Sequence, residues 1–173
     1  MGTKQYCIFI GATILAISIT GCNASVRSQL PQANTPSDLQ VSRKSSSSAK
    51  QLKQQAVRVI DRYYSAIARR DYKQAYSAWE GNGVASKQSF EQFERGFANT
   101  ASVTVEIAKP GRLEGAAGSI YIEIPVKIAA IATNGTPQRF RGSYVLRRVN
   151  NVPGSTLEQL QWHLYSAKIT QVS

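Results

Sequence analysis

Apolar residues in the segment 52–69 recur at the spacing of one helix face. Successive members lie four or three positions apart, while arginines occupy positions between them, as in an amphipathic α-helix. Such a stripe is stable only when another surface covers it. We therefore expect a long helix that begins between residues 49 and 52 and ends near Arg69. Its apolar stripe consists of Leu52, Ala56, Ile60, Tyr63 and Ile67.

Two shorter helices follow the first one. Asp71 is a favoured type of N-cap residue, and Gln74, three positions later, would complete a capping box. The turn sequence Gly81-Asn82-Gly83 ends this second helix, and a third begins at Ser86 or Ser89. The second helix carries Tyr72, Ala75, Tyr76 and Trp79, and the third, which ends near Phe97, carries Phe90, Phe93 and Phe97.

From Ala101 onward the apolar residues recur with a period of two. Runs rich in β-branched residues alternate with polar residues, as in half-buried strands. Three helices followed by such a meander predict an α+β fold, in which the helices pack on a curved four-stranded antiparallel sheet. The first predicted strand begins at Ala101 and ends at Pro110-Gly111, and the other three are 120–133, 139–149 and 158–169.

The two central strands are predicted to form a hairpin, and their alternating patterns limit the length of its loop. Asn134-Gly135 suggests a two-residue turn, but that turn would pair inward residues of one strand with outward residues of the other. Because a one-residue slip turns every side chain to the other face, we expect a connection of three or five residues, or a bulge near Pro137. This arrangement pairs Ile124 with Leu146, Val126 with Tyr144 and Glu123 with Arg147.

The N-terminus has the pattern of an export signal. One lysine precedes an apolar run that is shorter than the roughly twenty residues needed to span a bilayer. The run ends in Ile19-Thr20-Gly21-Cys22, which resembles the signal of bacterial lipoproteins. Residues 1–21 would then be the signal peptide, and the resemblance implies a diacylglycerol group on the Cys22 sulfur. Two or more acyl chains, palmitate among them, hold a protein stably on a membrane.

The resemblance also implies a location. The chain would be anchored in a bacterial cell envelope, and because Asn rather than Asp follows Cys22, we expect the outer membrane facing the periplasm if the host is Gram-negative. Residues 22–50 contain prolines, serines and glutamines with few apolar residues, so we expect a disordered tether. The globular domain would comprise residues 51–173.

Several short elements of the chain resemble one known superfamily. They are Tyr63-Tyr64-x-Ala66-Ile67, Arg70-Asp71-Tyr72, Ala75-Tyr76-x-x-Trp79 and the closing Trp162-x-Leu164. With the order of helices and strands, they resemble the nuclear transport factor 2-like superfamily, a cystatin-like α+β cone, over residues 50–170. The resemblance implies a pocket between the helices and the concave sheet. It does not imply one activity, because the superfamily includes isomerases, dehydratases, cyclases and plain binding domains.

The residues expected in that pocket are aromatic. They are Tyr63, Tyr64, Trp79, Tyr144 and Trp162, and each would also serve as ordinary core packing. The acidic residues and the single histidine do not lie on the same faces of their helix and strands as these aromatic residues. Asp61 flanks the helix stripe, and the strand residues Glu106, Glu123 and His163 alternate with inward residues, so they should face outward. The sequence therefore offers no catalytic residue for the pocket.

The charge and the cysteine content of the chain limit the classes of partner and cofactor that we expect. The chain of 173 residues has a formal charge of +11, which favours acidic partners, but no dense lysine or arginine run occurs, and an exported protein does not meet nucleic acid. Both cysteines, Cys7 and Cys22, precede the domain, so the domain has neither disulfides nor a cysteine metal site. No motif indicates a metal or another cofactor. Three arginines on the outer sheet face, Arg139, Arg141 and Arg147, form a candidate basic surface.

Three hypotheses follow from these observations. The first is a lipid-anchored envelope protein with a non-catalytic domain that binds a small apolar ligand or a protein partner. The alternative is an isomerase or dehydratase that uses Asp61, Glu106, Glu123 or His163 in the pocket. The second alternative is an envelope scaffold whose basic sheet face binds acidic polymer or lipid. We expect a monomer, since two basic faces would repel each other, with a homodimer through the sheet as the other arrangement.

Overall fold

The computed structural model describes residues 36–172, with side chains from residue 47 onward. Three α-helices precede an antiparallel sheet, which confirms the α+β class and the order of its elements. The sheet has five strands, however, and not the four that were predicted. The helices are α1 (Pro36–Ala68), α2 (Tyr72–Ser77) and α3 (Phe90–Phe97), and the strands are β1 (Thr100–Ile107), β2 (Leu113–Ala116), β3 (Ser119–Ala132), β4 (Pro137–Val149) and β5 (His163–Val172).

Helix α1 buries the predicted stripe. Ala56, Ile60, Tyr63 and Ile67 are all less than 5% exposed, and they face the inner side of the sheet. The helix begins at Pro36, well before the predicted start, so it includes part of the predicted tether. Once a helix is nucleated, each added residue gains a hydrogen bond, and no apolar surface is needed to extend it. The rest of the tether, Cys22 and the signal peptide lie outside the described residues.

The caps of the short helices differ from each other. The carboxylate of Asp71 accepts a hydrogen bond from the Gln74 backbone N–H at 3.1 Å, so the predicted N-cap is confirmed. The capping box is incomplete, because the Gln74 side chain accepts a hydrogen bond from Arg69. The complete capping box is at the start of α3, where Ser89 and Gln92 exchange both bonds.

The sheet has the strand order β1-β3-β4-β5, and β2 pairs with β3 beyond the end of β1. The alternating residues of β3 form its inner face as predicted. Strand β2 was missed because it has only four residues, three of them exposed, and no alternating pattern. The inward residues of β3 are Ile122, Ile124, Val126, Ile128 and Ala130.

The β3–β4 connection has the predicted parity but a different register. Ile131 pairs with Pro137, so five residues, 132–136, separate this pair. Inner residues therefore face inner residues, as expected. The pairing nevertheless differs by two positions from the predicted one, because the connection is centred on Asn134 and not on Gly135. The observed pairs are Ile124 with Tyr144, Ile122 with Leu146 and Glu123 with Val145, so the predicted pair of Glu123 and Arg147 is wrong.

The last strand begins later than predicted, at His163. Residues just before it form a turn in which Thr156 and Gln159 exchange two hydrogen bonds. At its start, Leu164 donates to the carbonyl of Ala78 and accepts from the N–H of Glu80, each at 2.9 Å. The segment after α2 thus pairs with the free edge of β5 and brings Trp79 into the core. In the described part of the chain, no helix is both long and apolar enough to cross a membrane.

A glycine in β4 makes a close backbone contact possible. A Cβ atom at Gly142 would collide with the backbone carbonyl oxygen of Lys168 in β5. We expect Gly142→Ala to lower the free energy of unfolding by about 1–3 kcal/mol, because the two strands must move apart. Urea denaturation measures this. Gly115→Ala in β2 is the matched control, since a Cβ there has no neighbour within 4 Å, and equal losses in both variants would contradict the prediction.

Candidate functional site

Four of the five predicted pocket residues form one aromatic cluster. The ring centroid of Tyr63 lies 5.1 Å from that of Tyr64, 6.2 Å from Trp79 and 6.0 Å from Tyr144. Helix α1 supplies the first two rings, the segment after α2 supplies Trp79, and β4 supplies Tyr144. The contacts with Tyr64, Trp79 and Tyr144 are edge-to-face, a favoured geometry for aromatic pairs. The cluster is therefore part of the core as well as the wall of a cavity.

Two hydroxyl groups of this cluster bind each other. The Tyr64 and Tyr144 hydroxyl oxygens are 2.8 Å apart, although both side chains are buried. Burial, which disfavours the charged phenolate, is the main cause that raises the pKa of Tyr63, Tyr64 and Tyr144 above the ordinary tyrosine value. All three hydroxyls therefore remain protonated at physiological pH.

Beside this hydroxyl pair lies a cavity of about 300 Å³, which we call the inner cavity. It lies between α1, the end of α3 and the inner face of the sheet. None of the residues that line it is charged, and Gln138 contributes an amide. The remaining lining is aromatic, aliphatic or small: Tyr63, Tyr64, Gly96, Phe97, Thr100, Val103, Ile128, Ala130, Phe140, Tyr144 and Ile169.

Sequence reasoning missed most of the residues that line the inner cavity. Phe97, Ile128, Ala130 and Phe140 follow the helix and strand periods that predict inward faces. Their phase was a sufficient signal that they face inward. No local signal distinguishes an inward residue that fills the core from one that borders a space, because the difference depends on what lies opposite it. Gln138 had no signal at all.

A second cavity of about 450 Å³ lies on the other side of Phe97. Tyr63, Trp79 and Phe93 form its apolar walls, and Lys87 is the one charged residue that lines it. Lys87 has a left-handed backbone with φ of 59°. The loop that carries it is connected to the helices by a hydrogen bond of 2.7 Å, which the Tyr76 hydroxyl donates to the Gln88 carbonyl.

The acids proposed for the enzyme alternative lie elsewhere. Asp61 is exposed. Glu106 is exposed on the outer face and forms an ion pair of 3.0 Å with Lys127. Glu123 is also exposed, and it accepts a hydrogen bond of 2.6 Å from the Ser143 hydroxyl. None of the three lines the inner cavity. Across residues 36–172, no group of three or more metal-binding side chains comes together.

Trp162 and His163 border neither the inner cavity nor the second cavity. Trp162 is buried, with 5% of its surface exposed, but it lines a separate cleft between α1, α2 and the start of β5. Trp162 therefore lies apart from the aromatic residues that line the inner cavity. It was placed by its inward phase alone, and the inner side of the sheet borders more than one space. His163 is half-buried and lines the same cleft.

The three arginines of the predicted basic face have different surroundings. Arg139 and Arg141 are exposed on the outer side of β4. Arg147 instead donates to the Glu80 carboxylate and, at 3.1 and 2.9 Å, to the Ser119 hydroxyl. Its guanidinium also lies 6.0 Å from the ring centre of Tyr121. The charge of Arg147 is thus paired, so a free basic surface is reduced to Arg139 and Arg141.

Comparison of the coordinates with solved structures identifies the architecture. The chain matches a nuclear transport factor 2-like superfamily protein from Salmonella enterica serovar Typhimurium strain LT2 with a TM-score of 0.50 and 13% identity, over 72% of this chain and 93% of that one. The fold is that of the nuclear transport factor 2-like superfamily. No protein-family model matches the sequence, and no curated protein matches it at a significant level.

Two other structures match over similar lengths. The Kfla4162 protein from Kribbella flavida has a TM-score of 0.50 and 11% identity, over 72% of this chain and 93% of that one. A provisionally named scytalone dehydratase from Novosphingobium aromaticivorans DSM 12444 has a TM-score of 0.49 and 9% identity, over 73% of this chain and 89% of that one. At 11% identity, the similarity to the Kfla4162 protein shows a shared fold and no activity.

The buried tyrosines predict that the fold is less stable in alkali. Their pKa values are raised in the folded state, so above about pH 10 the unfolded chain loses protons that the folded chain retains. We expect the free energy of unfolding to be constant near pH 8–9 and to fall as the pH rises above about 10. Urea denaturation across this range measures it.

Tyr144→Phe should make the alkaline fall shallower, because one buried titrating group is removed. Tyr165→Phe is the matched control, since Tyr165 is 45% exposed on the outer face and should leave the slope unchanged. A stability that does not depend on pH between 9 and 12 would contradict the assignment of these tyrosines as buried and neutral.

Proposed function

We propose that the chain is a lipid-anchored envelope protein whose nuclear transport factor 2-like domain binds a small apolar ligand in the inner cavity. One observation carries this proposal: the cavity of about 300 Å³ is lined by aromatic and aliphatic side chains, with no charged residue and with a pair of tyrosine hydroxyls. Ligand sites in proteins typically combine apolar walls with a few placed polar groups.

The polar groups of the inner cavity limit the charge and the polar atoms that a ligand can carry. In the pair formed by Tyr64 and Tyr144, one hydroxyl donates its hydrogen to the other, so the second hydrogen remains available to a ligand. The Gln138 amide can donate and accept. A charged group would lose its hydration in the cavity and find no opposite charge. The preferred ligand is therefore neutral and largely apolar, with a single carbonyl or hydroxyl oxygen directed toward the tyrosines.

The same lining supports a binding role rather than catalysis. Proton transfer at neutral pH needs a group that gains and loses a proton in that range, and no Asp, Glu or His borders the inner cavity. Burial raises the pKa of Tyr64 and Tyr144, which makes them hydrogen-bond partners and poor acids. An isomerase or dehydratase activity would require an acid from outside the cavity to enter it.

The membrane part of the proposal depends on the sequence around Cys22. The residues Ile19-Thr20-Gly21-Cys22 support acylation of the Cys22 sulfur and attachment to the envelope membrane. In a Gram-negative host, Asn23 supports the outer membrane facing the periplasm. The domain would then present its inner cavity to small molecules, or to a protein that delivers them, in the space next to that membrane.

Filling the inner cavity should abolish ligand binding. Ala130 borders the cavity, and the next residue back, Ala129, faces outward on the same strand. We expect wild-type chain to bind the neutral fluorophore N-phenyl-1-naphthylamine, and Ala130→Phe to lower its affinity by about tenfold or more, because the added ring occupies the ligand volume. Fluorescence titration of the purified chain measures this.

Ala129→Phe is the control for that experiment, because it adds the same ring on the outer face and should bind like wild type. Equal fluorescence responses from wild type, Ala130→Phe and Ala129→Phe would contradict an inner binding site. Circular dichroism of the two variants shows whether both remain folded.

Removing the acylated sulfur should release the protein from the membrane. We expect Cys22→Ser to move the chain from the membrane fraction and to abolish incorporation of labelled palmitate, because no acyl group can then be attached. Cys7→Ser is the matched control, since Cys7 lies within the predicted signal peptide and should not affect either result. Palmitate incorporation that persists in Cys22→Ser would contradict lipidation at this residue.

A further inference from the structure

The cleft that holds Trp162 has a composition unlike that of the inner cavity. It has a volume of about 190 Å³ and lies between α1, α2 and the start of β5, and we call it the Trp162 cleft. Its polar side chains are those of Arg62, Gln74, Ser77, Gln161 and His163. It shares only Tyr63 with the inner cavity, so it is a separate space.

Trp162, which lines this cleft, carries a buried donor without an acceptor. The indole nitrogen Nε1 of Trp162 is inaccessible to solvent and has no hydrogen-bond partner. An indole N–H can donate but cannot accept. Leaving it unpaired in the interior costs free energy that an acceptor would recover.

The neighbouring side chains also present donors. The Nε of Arg62 donates to the Arg58 carbonyl at 3.3 Å, which leaves both terminal NH₂ groups of the guanidinium available. The Gln74 carbonyl oxygen accepts from Arg69 at 2.9 Å, so its NH₂ group remains to donate. Because Gln74 already uses its acceptor for Arg69, the amide is oriented with its donor as the free group.

The charge of the cleft is positive. None of the residues that line it is acidic, and the ion pairs found in the described residues join Lys127 to Glu106 and Arg147 to Glu80, so neither includes Arg62. A guanidinium with its terminal donors free matches an oxyanion, whose oxygens accept in a fork geometry.

We propose that the Trp162 cleft binds a single oxyanion group, either a carboxylate or a phosphate, held by the guanidinium of Arg62 with Trp162, Gln74 and His163 around it. The volume accommodates such a group with a few water molecules, since one water occupies about 30 Å³ in the liquid. This site is independent of the inner cavity, and its occupation does not require the apolar ligand.

The test uses the two indole N–H resonances of the chain in an NMR titration of the purified protein. Phosphate and acetate are added in separate arms, with sodium chloride at equal ionic strength as the reference. We expect the Trp162 resonance to move saturably in one arm or both, which identifies a phosphate or a carboxylate. The Trp79 resonance is an internal control, because Trp79 does not border this cleft. It should remain in place.

Two variants test whether the change in the Trp162 resonance arises from an anion bound in the Trp162 cleft. Arg62→Gln should lower the affinity for the anion whose titration saturates by about tenfold or more, which is the scale of one charge-assisted hydrogen bond. Arg58→Gln is the matched control, since Arg58 lies one turn earlier on α1, is exposed and does not line the cleft. Arg62 is also exposed, so its replacement should leave the chain folded. A Trp162 resonance that moves no more with either anion than with chloride, or an equal loss in both variants, would overturn the proposal.

Discussion

The burial of one helix stripe against the concave face of the sheet is the contact on which the rest of this structure depends. Ile60 in α1 and Ile124, Leu146 and Leu164 in three different strands are all completely buried. Full burial of such a side chain contributes about 1.5–3 kcal/mol. Neither surface can face water without losing that stabilisation, so the helix and the sheet form together. Among the polar groups that this contact encloses, the Tyr64 and Tyr144 hydroxyls bind each other.

The inner cavity lies beside the packed contact between α1 and the sheet. Ile122, Ile124 and Leu146 belong to the same buried core as the α1 stripe. Small residues such as Ala130 and Gly96 are among those that line the inner cavity. A volume with aromatic walls and two hydroxyls therefore remains, at a position where helix, sheet and α3 do not fully close on each other.

The polar features lie where a third element joins the helix and the sheet. The segment 78–80 pairs with Leu164 at the edge of β5, and this pairing places Glu80 next to Arg147 and leaves the Trp162 cleft between α1, α2 and β5. The backbone pairing determines the positions of these residues, and their side-chain contacts depend on those positions. This explains why charged groups at this junction are paired or directed into a cleft, while the inner cavity contains none.

The sequence by itself determined the helices, the inward phase of the strands and the parity of the central hairpin, since these depend on periods of 3.6 and 2 that any short segment displays. It also placed Tyr63, Tyr64, Trp79 and Tyr144 together on inward faces. Only the tertiary structure decided the register of β3 and β4, because a shift of two residues keeps every side chain on its face and leaves the pattern unchanged. It alone separated Trp162 from the other aromatic residues and paired Arg147 with Glu80, 67 positions away, because such contacts depend on how distant segments meet in space and leave no trace in local spacing.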